Sequence, residues 1–359
     1  MKMFTLIAYA IIVLTMAVIV LAAFAVFNRH LSDLREARVQ RLRRRMQRYL
    51  QDFLADQIEA RAVVPELGTD TDIALSVLID TASRLPRPAR MKLRVFFDHF
   101  QFVQSEITAL QSRRWALRVR AASRLGYMSH DLAVPALVLA LNDEMLDVRL
   151  AAAHALAQLG AVHTVRAILG ALALPAAWPL QRAAEILYEM GDELTSPLLE
   201  FLDQKDPQKP DAAMVVAVRV LGMLRASRAV PRLSGFLGSP DLELRLSSAK
   251  ALGQMGDTQV VPALVAALED PAWEVRSAAA QALGRLGGRG AIPALVKALA
   301  DPAWWVRFNA AESLYQAGDE GRAGLKAAVG GHSDGFARDI SRQVLEEHGA
   351  IPVQKALPT

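Results

Sequence analysis

A motif that returns every 31 residues constrains this chain more than any other feature of its sequence. Residues 270–276 read DPAWEVR and residues 301–307 read DPAWWVR, and an Ala- and Leu-rich run ending in glycine comes after each copy. Such a period is typical of chains that stack copies of one small unit, because a single unit cannot bury its apolar side alone. We therefore expect a repeat architecture.

Two columns of residues keep the same phase along the chain. The arginine position of the motif steps by 31 residues, with one step of 34 at the polar, proline-containing segment 204–210, where we expect an enlarged loop. This column predicts eight units and consists of Arg118, Arg149, Leu180, Met214, Arg245, Arg276, Arg307 and Arg338. The glycine column consists of Ser129, Gly160, Gly191, Arg225, Gly256, Gly287, Gly318 and Gly349.

Each unit is predicted to form two helices. Asp270 and Asp301 can cap the first helix, with Pro271 and Pro302 in its first turn, and the column glycine ends it. Apolar residues recur at helical spacing in both halves of a unit, so neighbouring units must stack to bury them. The sequence therefore predicts an all-α fold, an α-solenoid of helix pairs with an extended concave surface.

At these residues the chain resembles the HEAT-repeat family, in particular its short, phycobilisome-lyase-type HEAT-like repeats. The resemblance covers about residues 112–349 and is densest over 241–318, whereas Leu180 and Met214 depart from the motif arginine. It specifies an architecture more than an activity. In this family an acid six residues before a base, as in Asp270 and Arg276, implies a structural ladder between adjacent units.

A 24-residue apolar run from Phe4 to Phe27 is long enough to cross a bilayer as a helix. Because the arginines come after this run, the positive-inside rule predicts a single-pass inner-membrane protein with its N-terminus outside and its solenoid in the cytoplasm. The predicted membrane-surface residues are Arg29, Arg35, Arg38, Arg41, Arg43, Arg44, Arg45 and Arg48. The alternative is a cleaved signal peptide ending near Ala23–Ala25.

These features divide the chain into five predicted segments. They are a transmembrane anchor (1–28), a basic amphipathic juxtamembrane helix (29–64), a helical N-terminal cap (65–111), about eight repeats (112–349) and a C-terminal tail (350–359). Residues 29–124 carry 19 Lys/Arg against 11 Asp/Glu, and residues 125–359 carry 21 against 26. A basic end beside an anchor favours a lipid bilayer as partner over nucleic acid.

The sequence carries no signal for catalysis. It has no cysteine, which excludes thiolate chemistry, and its seven histidines lack metal-binding spacing. We therefore expect no enzyme, no cofactor and no small-molecule substrate. Two alternatives stay open: a bilin-lyase-type enzyme or chaperone of a chromoprotein, which the resemblance implies, and a nucleic-acid-binding solenoid that uses the arginine clusters.

Tryptophans mark the predicted binding surface. All five fall one or two places before the Val-Arg position of the motif, where the resemblance implies side chains that line the concave face. Exposed Trp, Phe and Arg are typical of protein-binding hot spots, although tryptophans could also pack between helices as wedges. The candidate residues are Trp115, Arg120, Trp273, Gln281, Arg285, Trp304, Trp305, Phe308, Asn309 and Glu312.

Together these features predict a membrane-anchored, non-catalytic scaffold or adaptor. Its partner would be another protein, itself associated with the membrane. By analogy with other anchored repeat proteins, an envelope machine such as a polysaccharide-synthesising glycosyltransferase is one such partner.

Overall fold

The structure is a computed structural model that describes residues 2–173, 178–287 and 289–352. Over these residues it is helical, without a strand. The chain divides into two compact units. One comprises residues 1–109 and 127–131, and the other comprises residues 110–126 and 132–359. The all-α fold predicted from the sequence is confirmed for the residues described.

The first unit packs a long helix against five short ones. Met46 and Leu50 of the long helix are buried, as are Leu78, Phe96 and Phe97 of the short helices. These apolar side chains form the core of the unit. The helices are α1 (Lys2–Leu54), α2 (Ala60–Leu67), α3 (Thr71–Ser83), α4 (Arg87–Met91), α5 (Arg94–His99) and α6 (Phe102–Ala109).

The prediction of a membrane-crossing helix is wrong. In the part of the chain that the structure describes, none of the helices combines the length and the apolar character that crossing a bilayer requires. Crossing takes about 20 consecutive apolar residues. Most side chains of the predicted span lie outside those described, and the described apolar run from Ala23 ends at Phe27, before Asn28 and Arg29. The predicted inner-membrane location and orientation depended on this helix and are therefore wrong as well.

Two of the arginines predicted to lie at a membrane surface contact other helices of the first unit. Arg45 forms an ion pair of 2.6 Å with Glu66 of α2, and Arg43 donates a hydrogen bond to the hydroxyl of Ser76 in α3. The side chain of Arg35 lies outside those described. The remaining members of the set are exposed to solvent: Arg29, Arg38, Arg41, Arg44 and Arg48.

The repeat helices keep the predicted period. The first helices of successive units are α7 (Trp115–Met128), α9 (Leu146–Leu159), α11 (Leu180–Tyr188), α13 (Ala212–Met223), α15 (Leu242–Met255), α17 (Trp273–Leu286), α19 (Trp304–Gln316) and α21 (Gly335–Glu347). The second helices are α8 (Val134–Ala140), α10 (Val165–Ala171), α12 (Thr195–Asp203), α14 (Val230–Phe236), α16 (Val261–Ala267), α18 (Ile292–Ala298) and α20 (Asp319–Gly331). From α9 onward each first helix contacts the next, as in an α-solenoid.

All eight positions of the glycine column have a left-handed backbone, with φ between 51° and 84°. The column includes two residues that are not glycine, Ser129 and Arg225, and both adopt positive φ as well. A left-handed residue ends a helix by turning the chain away from its axis. The shared positive φ therefore explains why every first helix stops within three residues before this position.

The predicted starts of two first helices are wrong by a few residues. The helix caps are Ala272 and Ala303, so Asp270 and Pro271 precede α17 instead of opening it. The carboxylate of Asp270 instead accepts a hydrogen bond of 2.8 Å from the backbone N–H of Ala272. It also binds Arg245 of the preceding unit, and this second contact keeps it outside the helix.

Arginines of the column join adjacent units. Arg276 donates two hydrogen bonds, of 2.7 and 2.8 Å, to the carboxylate of Asp301 in the next unit. It donates a third, of 2.9 Å, to the carbonyl oxygen of Asp270 in its own unit. The bonds to Asp301 raise the pKa of Arg276 above its ordinary value. Arg118 with Asp143 and Arg245 with Asp270 repeat the arrangement, which is the ladder that the resemblance implied.

A second glycine position lets consecutive first helices approach closely. A Cβ on Gly253 of α15 would lie 2.6 Å from the Cβ of Ala282 in α17, closer than unstrained atoms pack. Gly126, Gly222 and Gly284 occupy the equivalent position eight residues after the arginine column, with similarly close neighbours. These glycines therefore set the spacing of the stack.

Candidate docking surface

One face of the first helices reaches solvent at the residues five and nine places after the arginine column. Together with the residues one and two places after the column, several of which are buried, these residues form what we call the groove face. Two cavities lie on it, between neighbouring first helices at the same positions of the repeat. The first, of about 160 Å³, is lined by Gln181, Arg219, Met223, Ser247, Lys250, Ala251 and Gln254. The second, of about 330 Å³, is lined by Gln281, Arg285, Phe308, Asn309, Glu312, Ser313 and Gln316.

The second cavity brings together five of the residues predicted from the sequence. Gln281 and Arg285 come from α17, whereas Phe308, Asn309 and Glu312 come from α19. Helical spacing places each set on one side of its helix, and stacking of the two helices makes them neighbours. The sequence thus identified most of one cavity wall.

Three aromatic rings cluster at the start of α19. Trp304 and Trp305 meet edge to face, with ring centroids 4.7 Å apart. Trp304 stacks on Phe308, with centroids 5.0 Å apart and planes inclined by 13°. The two tryptophans are 43% and 54% exposed, so this aromatic cluster presents a large apolar surface to solvent. Trp273 occupies the same position of the preceding unit and is 41% exposed.

The remaining tryptophans differ from one another. Trp115, at the start of α7, is 46% exposed, in keeping with a surface role. Trp178 is only 3% exposed and belongs to the core. The two interpretations of the tryptophan pattern therefore each hold for part of the set. The sequence alone did not separate them, because Trp178 lies at the same distance from the motif as Trp305.

Two polar residues of the groove face already have partners. Asn309 donates a hydrogen bond of 2.7 Å to the hydroxyl of Ser277, which holds α19 to α17. Glu312 lies 3.1 Å from His348, whose ring stacks on Tyr315 with centroids 4.0 Å apart. These contacts fix the floor of the second cavity and the position of α21 behind it.

Several other polar residues of the face have no partner among the described residues. Among the described residues, no hydrogen bond or ion pair engages the side chains of Arg120, Lys250, Gln281 or Arg285, and all four are exposed. Arg219 differs, since it pairs with Glu243 and donates a hydrogen bond of 3.1 Å to Ser247. The unpaired side chains are available to a ligand from solvent.

Sequence reasoning missed some cavity residues. Met223 and Gln316 lie nine places after the arginine column, as do Gln254 and Arg285. Applying that offset to every unit would have found them. Ser247 and Ser313 would have needed knowledge of how closely the helices approach.

The described residues show no obvious centre for catalysis. Within the described ranges, no group of three or more His, Asp or Glu side chains lies close enough together to hold a metal ion. The expectation that the protein is not an enzyme stays a prediction.

Comparison with known protein sequences agrees with the repeat architecture. A family profile described as HEAT repeats matches residues 106–189, 195–283 and 261–346, which is well over half of the chain. A comparison with curated proteins found no match.

Similar solved structures include proteins of different activities. The complex of CpcE and CpcF of phycocyanin lyase from Nostoc sp. PCC7120 has 23% identity and a TM-score of 0.34, covering 68% of this chain and 94% of that chain. Human deoxyhypusine hydroxylase in complex with glycerol has 22% identity and a TM-score of 0.30, covering 79% and 99%. A Kap121p mutant has 11% identity and a TM-score of 0.55, covering 81% and 38%. This last similarity shows a shared fold and nothing about activity.

Proposed function

Because the chain belongs to the HEAT-repeat family, we propose that it is a non-catalytic scaffold whose groove face binds a segment of another protein. HEAT solenoids present extended surfaces to partners, and stacked units place equivalent side chains in rows along such a surface. The proposal concerns the residues of the groove face together with Trp273 and the aromatic cluster of α19.

The aromatic cluster is the observation that carries this proposal. Large apolar rings rarely stay exposed in a group unless another molecule covers them. Trp304, Trp305 and Phe308 pack on one another, so their surface is already ordered before a partner arrives. Ordered aromatic surface gives up little conformational freedom on binding, which is why tryptophan is enriched among residues that dominate binding energy.

Polar neighbours complete the surface. Gln281 and Arg285 line the cavity whose wall includes Phe308. A rim of hydrogen-bonding groups around an apolar centre is the usual composition of a protein-binding interface. This surface therefore suits a partner segment that buries one large apolar side chain and pairs its polar groups around it.

A crosslinking and capture experiment tests the proposal. The triple variant W273A/W304A/F308A and the control L139A are each expressed in the source cells, crosslinked and purified, and recovered partners are quantified by mass spectrometry. Leu139 lies on second helix α8 and is 74% exposed, so its substitution also removes apolar surface.

We expect partner recovery to fall about tenfold in the triple variant, since losing such anchors costs at least about 1.4 kcal/mol. The control should recover partners as the unmodified chain does. Equal recovery by the triple variant and the unmodified chain would contradict the proposal, provided that circular dichroism shows the same helix content.

A further inference from the structure

We infer that the segment bound on the groove face is acidic and extended, an inference that rests on the proposed function and deepens it. Three consecutive first helices carry a cation and no carboxylate at the groove-face positions: Arg219 on α13, Lys250 on α15 and Arg285 on α17. The guanidinium of Arg219 already forms an ion pair with Glu243 and is only partly available to a ligand. The described residues provide no partner for Lys250 or Arg285, so both can meet carboxylates of another chain.

Glutamine side chains lie beside these cations. Gln254, Gln281 and Gln316 are exposed, and no described residue hydrogen-bonds to their amides. A primary amide both donates and accepts, so it can pair with the C=O and the N–H of a peptide backbone. A phosphodiester backbone offers acceptors alone, and a helix has already used its backbone groups internally. The amides therefore favour an extended peptide.

The length of the cationic stretch limits the length of the acidic one. Neighbouring helix axes lie about 8–10 Å apart, so α13 to α17 spans roughly 20 Å. An extended chain advances about 3.3 Å per residue and covers this distance with about six residues.

Carboxylates bound the stretch on both sides. On α11, Glu185 pairs with Arg182, and Glu189 directly follows the helix beside His154, which leaves carboxylates in excess there. Glu312 lies on α19 beside His348. A long polyanion such as nucleic acid would extend past the cations and meet these like charges. A short acidic stretch would end before reaching them. The charge pattern therefore favours a peptide motif over a nucleic-acid strand.

The second cavity indicates which kind of residue stands at the end of the acidic stretch. Arg285 and Phe308 line the same cavity of about 330 Å³, so a carboxylate and an apolar side chain of one segment can enter together. Trp304 stacks on Phe308 and extends the apolar wall. The motif is accordingly about six residues rich in Asp and Glu with a large apolar residue at the end nearest α19.

Fluorescence anisotropy with defined probes and the purified full chain tests this inference. The acidic probe is a labelled peptide with three Glu alternating with Ser, ending in Leu-Trp. A neutral probe replaces Glu by Gln, a basic probe replaces Glu by Lys, and a single-stranded oligothymidylate supplies phosphates. The variant K250E/R285E reverses the two unpaired cations of the stretch from α13 to α17. The control K326E/R228E reverses two exposed cations, one on α20 and one in the turn before α14.

We expect the acidic probe to bind about tenfold more tightly than the neutral probe at low salt, because each exposed ion pair contributes modestly and is screened by ions. K250E/R285E should lose this preference and gain binding of the basic probe, while the control behaves as the unmodified chain. The inference is overturned if the charge reversal leaves the acidic probe's affinity unchanged, or if oligothymidylate binds more tightly than the acidic probe.

Failure of the charge inference and failure of the proposed function give different results. If the aromatic cluster binds no partner, W273A/W304A/F308A leaves the affinities of all three peptides unchanged. If only the charge inference is wrong, that variant weakens the acidic and neutral probes alike, and K250E/R285E changes neither.

Discussion

At the scale of single residues, Gly253 shows how little room separates consecutive first helices. A Cβ at this position would lie 2.8 Å from the Cα of Ala282 as well as 2.6 Å from its Cβ. Relief requires the backbones of α15 and α17 to move apart, which loosens the packing of both against their neighbours. The glycine is therefore retained at a helix position where alanine would otherwise be the better residue.

We predict that G253A lowers the free energy of unfolding by about 1–3 kcal/mol, because overpacking outweighs the gain in helix propensity. The control is G235A in α14, where an added Cβ would meet nothing within 4 Å. There the better helix former should raise stability by up to about 1 kcal/mol. Urea unfolding monitored by circular dichroism measures both, and two changes of the same sign would refute the packing argument.

The arginine column was readable from the sequence, whereas this glycine position was not recognised. Arg276 and Asp301 recur in phase with the motif, and opposite charges in register suggest a pair. Gly253 recurs in phase with Gly222 and Gly284, but a glycine inside a helix does not by itself say what it contacts. Its meaning depends on the distance to Ala282, which comes from the packing of two helices and from no local pattern.

At the scale of helices, the backbone at the glycine column is more uniform than its residue types, because φ is positive even where the residue is not glycine. Arg225 follows the cap of α13 with φ of 51°, and Gly256 caps α15 with φ of 78°. A residue with a Cβ is strained in this conformation by about 1 kcal/mol, and glycine is not. The repeat thus keeps one backbone path at the cost of strain where its glycine is missing.

We predict that R225G stabilises the protein by about 0.5–1 kcal/mol through relief of this strain, and that G256A destabilises it by a similar amount. Arg225 is exposed and forms no side-chain bond with a described residue, so its removal should cost little. Thermal unfolding monitored at the helix signal compares the two variants. A fall in melting temperature for R225G would show that the positive φ of Arg225 does not strain the native structure.

Helix starts were less predictable than helix ends. An Asp-Pro pair before an apolar run normally predicts a capped helix. In α17 the carboxylate of Asp270 is instead engaged by Arg245 of the previous unit, an interaction that spans 25 residues of sequence. Asp241 lies two places later in its unit, at the position of Ala272, and there it caps α15 by accepting from the N–H of Leu244. The motif aspartate thus stands too early to cap the helix, and it pairs with the arginine of the preceding unit instead.

At the scale of the whole molecule, stability of a stacked array depends on contacts between neighbours. The third and fourth units carry Leu180 and Met214 in place of the column arginine. In addition, α11 has 9 residues, against 14 in α15 and α17. The array therefore combines missing column arginines and a short first helix in the same region.

We predict that α11 is the first repeat helix to open. Its backbone amides should exchange with deuterium about tenfold faster than those of α17, because local opening needs less free energy where fewer contacts must break. Hydrogen exchange with mass spectrometry on the full chain reports both helices in one experiment. Uniform protection across α11, α15 and α17 would show that the array opens as one body.

The architecture of the repeats could be predicted from the sequence because its main contacts connect a residue with one about 31 positions away. The period of the sequence therefore indicates which residues of neighbouring units contact each other. The membrane prediction used composition in a single non-repeating stretch, where no second copy could test it, and it was wrong. The groove face lies between these extremes: the repeat gives its positions, while stacking decides which side chains stay in solvent.

The ion pair between Arg276 and Asp301 has a consequence for how the number of repeats can change in evolution. Because Arg245 binds Asp270 in the same way, a duplicate of residues 270–300 inserted after Ala300 would form the same arginine–aspartate pair with the unit on either side. The insertion would carry Trp304 and Phe308 one step farther from Lys250 while leaving each intact. A gene duplication of about 31 codons would thus lengthen the groove face by one repeat and favour a longer peptide motif, without changing the side chains already present on the face.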